Sequence, residues 1–389
     1  MPADRCRARA APTINRVRIT DHWLRIYRIR QWRGQLKGDL KLLLRWIDDS
    51  PDGGYLFMLH KILFLFLFPV FLFCASRPMA NDLRVTIREY DVPTPNSRPH
   101  DPAVAPDGSL WYTGQLANKL GRLDPKSGEI KEYPLKTAAS GPHGLAADKE
   151  GSIWFTANFK AYIGKLDPRS GDVTEYPMPD PRARDPHSLV FDREGIIFFT
   201  TQDSNFVGKL DPKTGKITLK EVSTPHALPY GIIIGPDNAA YFCEFGSNKI
   251  GKIDPKTLNV TEIVLPNQSA RPRRIANSPD GLIYYSDFAR GFIGRLDPKT
   301  GQVEEWASPG GPNSHPYGIA STSDGTVWYS ESGVKPNTVV AFNPKTKSFQ
   351  SWPIPSGGGV VRNMVATPDD HLYLACSGVN KVAIAEVRR

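Results

Sequence analysis

One unit of 43 to 45 residues recurs seven times in this chain, and that period limits the fold more than any other feature of the sequence. Residues 95–135 read PNSRPHDPAVAPDGSLWYTGQLANKLGRLDPKSGEIKEYPL. Residues 139–178 read ASGPHGLAADKEGSIWFTANFKAYIGKLDPRSGDVTEYPM. A central aromatic marks each copy: Trp111, Trp154, Phe198, Tyr241, Tyr284, Trp328 and Tyr373. Each copy holds four strand-like runs, which in the second are Gly144–Ala147, Ser152–Ala157, Tyr162–Leu166 and Val173–Tyr176. Four short strands at this period describe a propeller blade, so the expected fold is an all-β, seven-bladed β-propeller. The seventh copy stops near Val387, before a fourth strand. Residues 85–92, VTIREYDV, match the fourth-strand run, so the N-terminal strand is expected to complete the last blade and leave no open sheet edge.

The turns have a local cause. Leu-Asp-Pro-Lys-Ser/Thr-Gly recurs at 123–128, 210–215 and 296–301, and Asp-Gly at 107–108, 280–281 and 324–325. Proline presets φ for the first turn residue and glycine accepts the left-handed position that returns the chain. These Asp and Gly residues therefore read as turn chemistry and not as calcium or phosphate loops. The excess of glycine and proline, 33 and 35 residues, belongs to such turns. The seven central aromatics read as core between blades and not as a stacking platform for bases.

Length alone would suggest two or three domains, but a seven-fold repeat needs residues 81–389 to close one ring. The four cysteines form no zinc spacing and no disulfide framework. The net charge of +9 is uneven: residues 1–57 carry +6, residues 58–80 carry +2, and the remainder carries +1. The repeat region thus has no basic footprint for a phosphate backbone, and nucleic acid is excluded as a partner.

Met58-Leu-His-Lys61 precedes the apolar run ILFLFLFPVFLF at 62–73, followed by the small residues Ala75, Ser76 and Ala80. This is the pattern of a secretory signal over 58–80. A signal anchor is the alternative, and either is the only expected contact with a membrane. The natural start is then Met58, with 1–57 an upstream mistranslation; otherwise 1–57 is a basic cytoplasmic arm. A periplasmic or extracellular monomer is expected.

Two rings of residues are expected at one mouth of the channel. Eleven positions before each aromatic lie His100, His143, His187, Tyr230, Arg273, Tyr317 and Arg362. Three positions after it lie Gly114, Ala157, Thr201, Glu244, Asp287, Glu331 and Cys376. The first two strands of a blade run antiparallel, so both rings should meet at the same end. Histidine serves as base, acid or metal ligand near neutral pH. Arginine suits a carboxylate or an enolate oxygen. Glu244, Asp287 and Glu331 come from successive blades and suit a shared divalent cation. His315 lies two residues before Tyr317.

The motifs Gly-Pro-His-Gly, Ile-Trp-Phe-Thr, Asn-Lys-Ile-Gly-Arg-Leu and Ile-x-Glu-Tyr-Pro resemble those of the virginiamycin B lyase (streptogramin lyase) family, over residues 84–387. The resemblance implies antibiotic-resistance chemistry, the Mg2+-dependent eliminative opening of a cyclic depsipeptide at its ester. It implies His187 as base or acid and His143 in substrate positioning. Asp185, in Asp185-Pro186-His187, and Gln202 would stand around the cation, where the family has glutamates. His100, Tyr230, Arg273, Tyr317 and Arg362 would bind the small-molecule or peptide ligand. Two other readings of the same mouth are a non-catalytic extracytoplasmic propeller that binds a ligand or protein, and a lactonase-type hydrolase.

Overall fold

The computed structural model describes residues 83–389. The extension at 1–57 and the secretory segment at 58–80 lie outside the described residues. Those residues form seven antiparallel sheets of four strands each, a seven-bladed β-propeller, with one short 3-10 turn at Ser377–Val379. Blade one is a meander of β2 (Pro99–Val104), β3 (Leu110–Gly114), β4 (Lys119–Leu123) and β5 (Ile130–Pro134). Blades two to six repeat that order. Blade seven consists of β26 (Val361–Ala366), β27 (Leu372–Cys376), β28 (Lys381–Arg388) and β1 (Arg84–Asp91). In it β1 pairs antiparallel with β28, from Arg84 opposite Arg388 to Asp91 opposite Lys381.

The first strand of each blade is innermost, and β2 touches the first strands of blades two and seven. The repeat sequence shows why the blades stack. All seven central aromatics are buried. The next residue in blades one to five, for example Phe155, is also aromatic and lies over a glycine of the third strand. A Cβ at Gly164 would sit 2.2 Å from the Phe155 ring. Burying a ring of this size stabilises the fold by about 1.5–3 kcal/mol. The Asp-Pro turns hold as turns: Asp124 Oδ1 accepts the Lys126 amide at 2.8 Å, and Asp297 Oδ1 accepts the Lys299 amide at 2.8 Å.

One irregularity, repeated in every blade, positions the site. Between the first and second strands the register shifts, in blade one between Pro99 and Pro102. The bulge leaves two inner residues, there His100 and Asp101, outside the ladder and re-aims their side chains. The amide this frees is taken by a hydroxyl of the second strand: Asp101 N donates to Thr113 Oγ1 at 3.0 Å, and Gly144 N to Thr156 Oγ1 at 2.8 Å. Each hydroxyl then donates to a carbonyl of the next blade, Thr113 to His143 O at 2.9 Å and Thr156 to His187 O at 2.7 Å. Thr200, Ser286 and Ser330 do the same toward Tyr230, Tyr317 and Val361.

Blade spacing at the channel is tight. A Cβ on Gly144 would lie 2.5 Å from the carbonyl oxygen of His187, which is backbone and cannot turn aside. Gly144→Ala is therefore expected to destabilise the propeller by about 1–3 kcal/mol. Gly171→Ala, on an exposed turn with nothing within 4 Å, avoids any clash and is expected to cost only the backbone strain of a side chain at φ 81°. Denaturant melts of the two variants check the difference.

Candidate functional site at one channel mouth

The first ring assembles as a continuous surface. The rings pack tilted against one another, His100 and His143 with centroids 3.7 Å apart, His143 and His187 at 3.8 Å, and His187 and Tyr230 at 4.0 Å. The Tyr230 and Tyr317 hydroxyls bond to one another. The Arg273 guanidinium closes that side, 3.9 Å from the Tyr317 centroid and 4.3 Å from that of Phe288. It also lies 4.6 Å from Phe245 and 5.0 Å from Tyr230. His315 stacks on the far member of this group, 4.5 Å from Phe288.

The bulge exposes a second inner layer, one residue further along, that the sequence reading missed. Its members are Asp101, Gly144, Ser188, Gly231, Arg274, Gly318 and Asn363. Arg274 reaches across the channel from blade five to Asp101 in blade one, with Nη2 to Oδ1 at 2.5 Å and Nη1 to Oδ2 at 3.0 Å. Its Nη1 also donates to Ser188 Oγ of blade three at 3.3 Å. Both charged side chains are buried. Glycine in the alternate blades leaves room for them. That alternation of glycine and polar residues is a signal the sequence did carry.

The three histidines use Nδ1 to hold their rings. His100 Nδ1 faces Asp101 Oδ1 at 2.9 Å, His143 Nδ1 faces His187 O at 3.0 Å, and His187 Nδ1 faces Ser188 Oγ at 3.0 Å. Among the described residues no protein group bonds their Nε2 atoms, which remain free for a molecule in the channel. The rings themselves are only 2–3% exposed. Burial, then Arg362, Arg274, Arg98 and Arg273, hold His100 well below its ordinary value. Burial and the neighbouring histidines hold His143 and His187 down as well. All three are neutral at pH 7.

The second ring does not join the first as a metal cluster. Glu244 accepts from Ser247 Oγ at 2.7 Å. Asp287 accepts the Arg271 amide at 3.0 Å and pairs with Arg290 at 2.6 Å. Glu331 accepts Ser308 Oγ at 2.5 Å, the Gly310 amide at 2.6 Å and Thr338 Oγ1 at 2.7 Å. Asp287 and Glu331 are thus occupied by groups beside their own strands, whereas Glu244 keeps one oxygen, Oε1, buried without a partner. Asp185 is occupied too, by the Ser204 amide at 3.1 Å, the Ser204 hydroxyl and the Asp203 amide. Gln202 is half-buried next to that turn.

Among the described residues, only His100, Asp101 and His143 bring three His, Cys, Asp or Glu ligand atoms within 4.8 Å of one another. Arg274 already neutralises the one carboxylate of that group. Arg98, Arg273 and Arg362 add positive charge around His100. This arrangement does not fit Mg2+, which wants hard, negatively charged oxygen ligands. Arg98, half-buried just before β2, is a rim residue the sequence reading also missed.

The sequence profile of the Virginiamycin B lyase family matches residues 79–309 and 220–388. The chain belongs to this family. A streptogramin B lyase structure superposes with a TM-score of 0.72 and 28% identity, covering 78% of this chain and 98% of its own. Selenomethionine-substituted virginiamycin B lyase from Staphylococcus aureus superposes at 0.71 with 24% identity, covering 78% and 99%. A catalytically inactive variant of virginiamycin B lyase from Staphylococcus aureus, with quinupristin, superposes at 0.70 and 24%, with the same coverage. At that identity the last two establish the shared fold. No match was found among curated proteins.

Two outcomes follow from the buried charges. Asp101→Asn leaves Arg274 buried without its anion and is expected to cost about 3–5 kcal/mol, whereas the double variant Asp101→Leu, Arg274→Met recovers most of that. Urea titration of both checks it. Burial pushes the Glu244 carboxyl up to about 7, so this group favours the folded state most below its unfolded value of 4.5. That contribution is lost as pH rises through 7. Glu244→Gln should therefore melt like the parent at pH 4.5 and progressively higher than it up to pH 8. The histidines act in the opposite sense in both proteins: their contribution is full above about pH 6.5 and falls as the pH drops toward their lowered folded values.

Proposed function

We propose that this chain is an extracytoplasmic ligand-binding member of the virginiamycin B lyase family, and that the mouth formed by His100, His143, His187, Tyr230, Arg273, Tyr317 and Arg362 is its binding site. The observation that carries the reading is the charge of that mouth. Arg98, Arg273 and Arg362 have no ion pair among the described residues, and its one carboxylate, Asp101, is spent on Arg274. A ligand offering oxygen acceptors fits here, and a divalent cation does not. The unbonded Nε2 atoms of the histidine stack offer further contacts deeper in the channel. The secretory pattern at 58–80 supports a site outside the cytoplasm, and the self-contained ring supports a monomer.

The family's own reaction is the second reading, and one observation favours it. His143 and His187 are neutral, the state a general base needs to take a proton next to a carbonyl. Against it, Asp185 is tied into its turn, Gln202 has no charge, and the histidines are almost fully covered. A lactonase-type hydrolase meets the same objection at its metal.

Incubation with a streptogramin B and Mg2+, followed by mass spectrometry, separates the two readings. The expected result is an intact ring, with ligand binding in thermal-shift screens that is lost in Arg362→Ala and retained in Lys213→Ala, an exposed turn substitution. A linear product that forms in the parent and not in His187→Ala would establish the lyase reading instead.

A further inference from the structure

Arg273 is held in an unusual way for a guanidinium at a protein surface. Four aromatic rings, Tyr230, Phe245, Phe288 and Tyr317, surround it, with centroids 3.9 to 5.0 Å from its central carbon. Cation–π contacts use the faces of the rings and fix the group's position without consuming its in-plane N–H donors. Among the described residues its one hydrogen bond goes from Nη2 to Tyr230 Oη at 3.3 Å, and its Nε is buried without a partner. A rigid guanidinium with a vacant fork suits bidentate binding of an oxyanion.

Arg362, beside His100, shares one part of this arrangement. Its Nε is also buried without a partner. Arg98 has its own backbone at φ 55°, and burial, followed by repulsion from Arg362, lowers its pKa from the ordinary value. Neither has an ion pair among the described residues. Three uncompensated, half-buried cations at one rim are costly unless an anion completes them.

We infer that the rim of Arg98, Arg273 and Arg362 takes a small multivalent oxyanion, carboxylate- or phosphate-based, with one acidic group in the Arg273 fork and another on the Arg98–Arg362 side. This rests on the reading of the mouth as a binding site and names the chemical class of its ligand. The aromatic cage sets the direction of the fork, and the pair of repelling arginines supplies the drive. Calcium- or magnesium-bridged recognition is not needed, because the positive charge is already built into the chain.

Isothermal titration with citrate, with inorganic pyrophosphate and with the neutral triethyl citrate tests it, using the full propeller. Citrate or pyrophosphate is expected to bind with Kd below about 1 mM, weakening as sodium chloride is raised. Which of the two binds more tightly identifies the carboxylate or the phosphate source. Triethyl citrate is expected not to bind. Arg362→Gln and Arg273→Lys should each weaken binding at least about tenfold, with circular dichroism unchanged; the lysine keeps the charge and loses the fork. No binding of either anion overturns the inference. Equal binding of triethyl citrate, unaffected by the arginine substitutions but lost in Tyr317→Ala, also overturns it while leaving the mouth as the binding site. Loss of anion binding in Arg169→Gln, a turn substitution in blade two, with the rim variants unaffected, would overturn both.

Discussion

The Arg274–Asp101 pair spans the channel and ties blade five to blade one, with Ser188 of blade three on the same guanidinium. Seven blades packed only on their neighbours would leave the centre of the ring to chance. Here a buried ion pair with matched geometry settles which side chains fill it. Burial alone would lower the pKa of Arg274, but Asp101, Tyr230 and Tyr317 together raise it above its ordinary value. The pair also consumes the one acidic group near the histidines. Everything at the mouth that follows, from the neutral imidazoles to the uncompensated rim, depends on that neutralisation.

The pair stands where it does because each inner strand bulges at the same position. A strand in strict register would alternate its side chains between faces and send one of any two neighbours into the blade. The bulge lets consecutive residues, His100 and Asp101 or His187 and Ser188, both serve the channel. Its freed amide finds a threonine or serine hydroxyl two positions after the central aromatic, and that hydroxyl in turn holds the next blade's carbonyl. The latch is absent where Cys243 and Ala375 replace the hydroxyl, since a thiol is only a weak donor and acceptor and a methyl group is neither. One local irregularity thus sets both the spacing of blades and the orientation of the ring.

Family membership and site chemistry separate at this point. The fold and the profile match place the chain in the virginiamycin B lyase family. The site residues argue about charge. Where a metal-dependent elimination needs anionic oxygens gathered around a cation, this mouth gathers Arg98, Arg273 and Arg362 around the histidines. The carboxylates at the second-ring positions do not converge: Asp287 and Glu331 are held by amides, hydroxyls and Arg290, and Glu244 by Ser247 on one oxygen alone. A fold supplies positions, and function is decided by what occupies them.

Much of this was legible in the sequence. A period of 43 to 45 residues with four strand-like runs indicates a propeller of seven blades, because four short strands make one blade and seven blades close a ring. The first ring could be counted off from the aromatics, and His100, His143, His187 and Tyr230 do pack in succession along it. The sequence could not say which way the second-ring carboxylates turn: Glu244, Asp287 and Glu331 share a register position, but their side chains follow the nearest donors, which lie in loops. Nor could it show Arg274, 173 positions from Asp101, as that residue's partner. Repeat spacing is a property of one strand beside the next and is written locally. Contacts across the channel join residues from distant blades, and only the closed ring brings their charges within hydrogen-bonding distance.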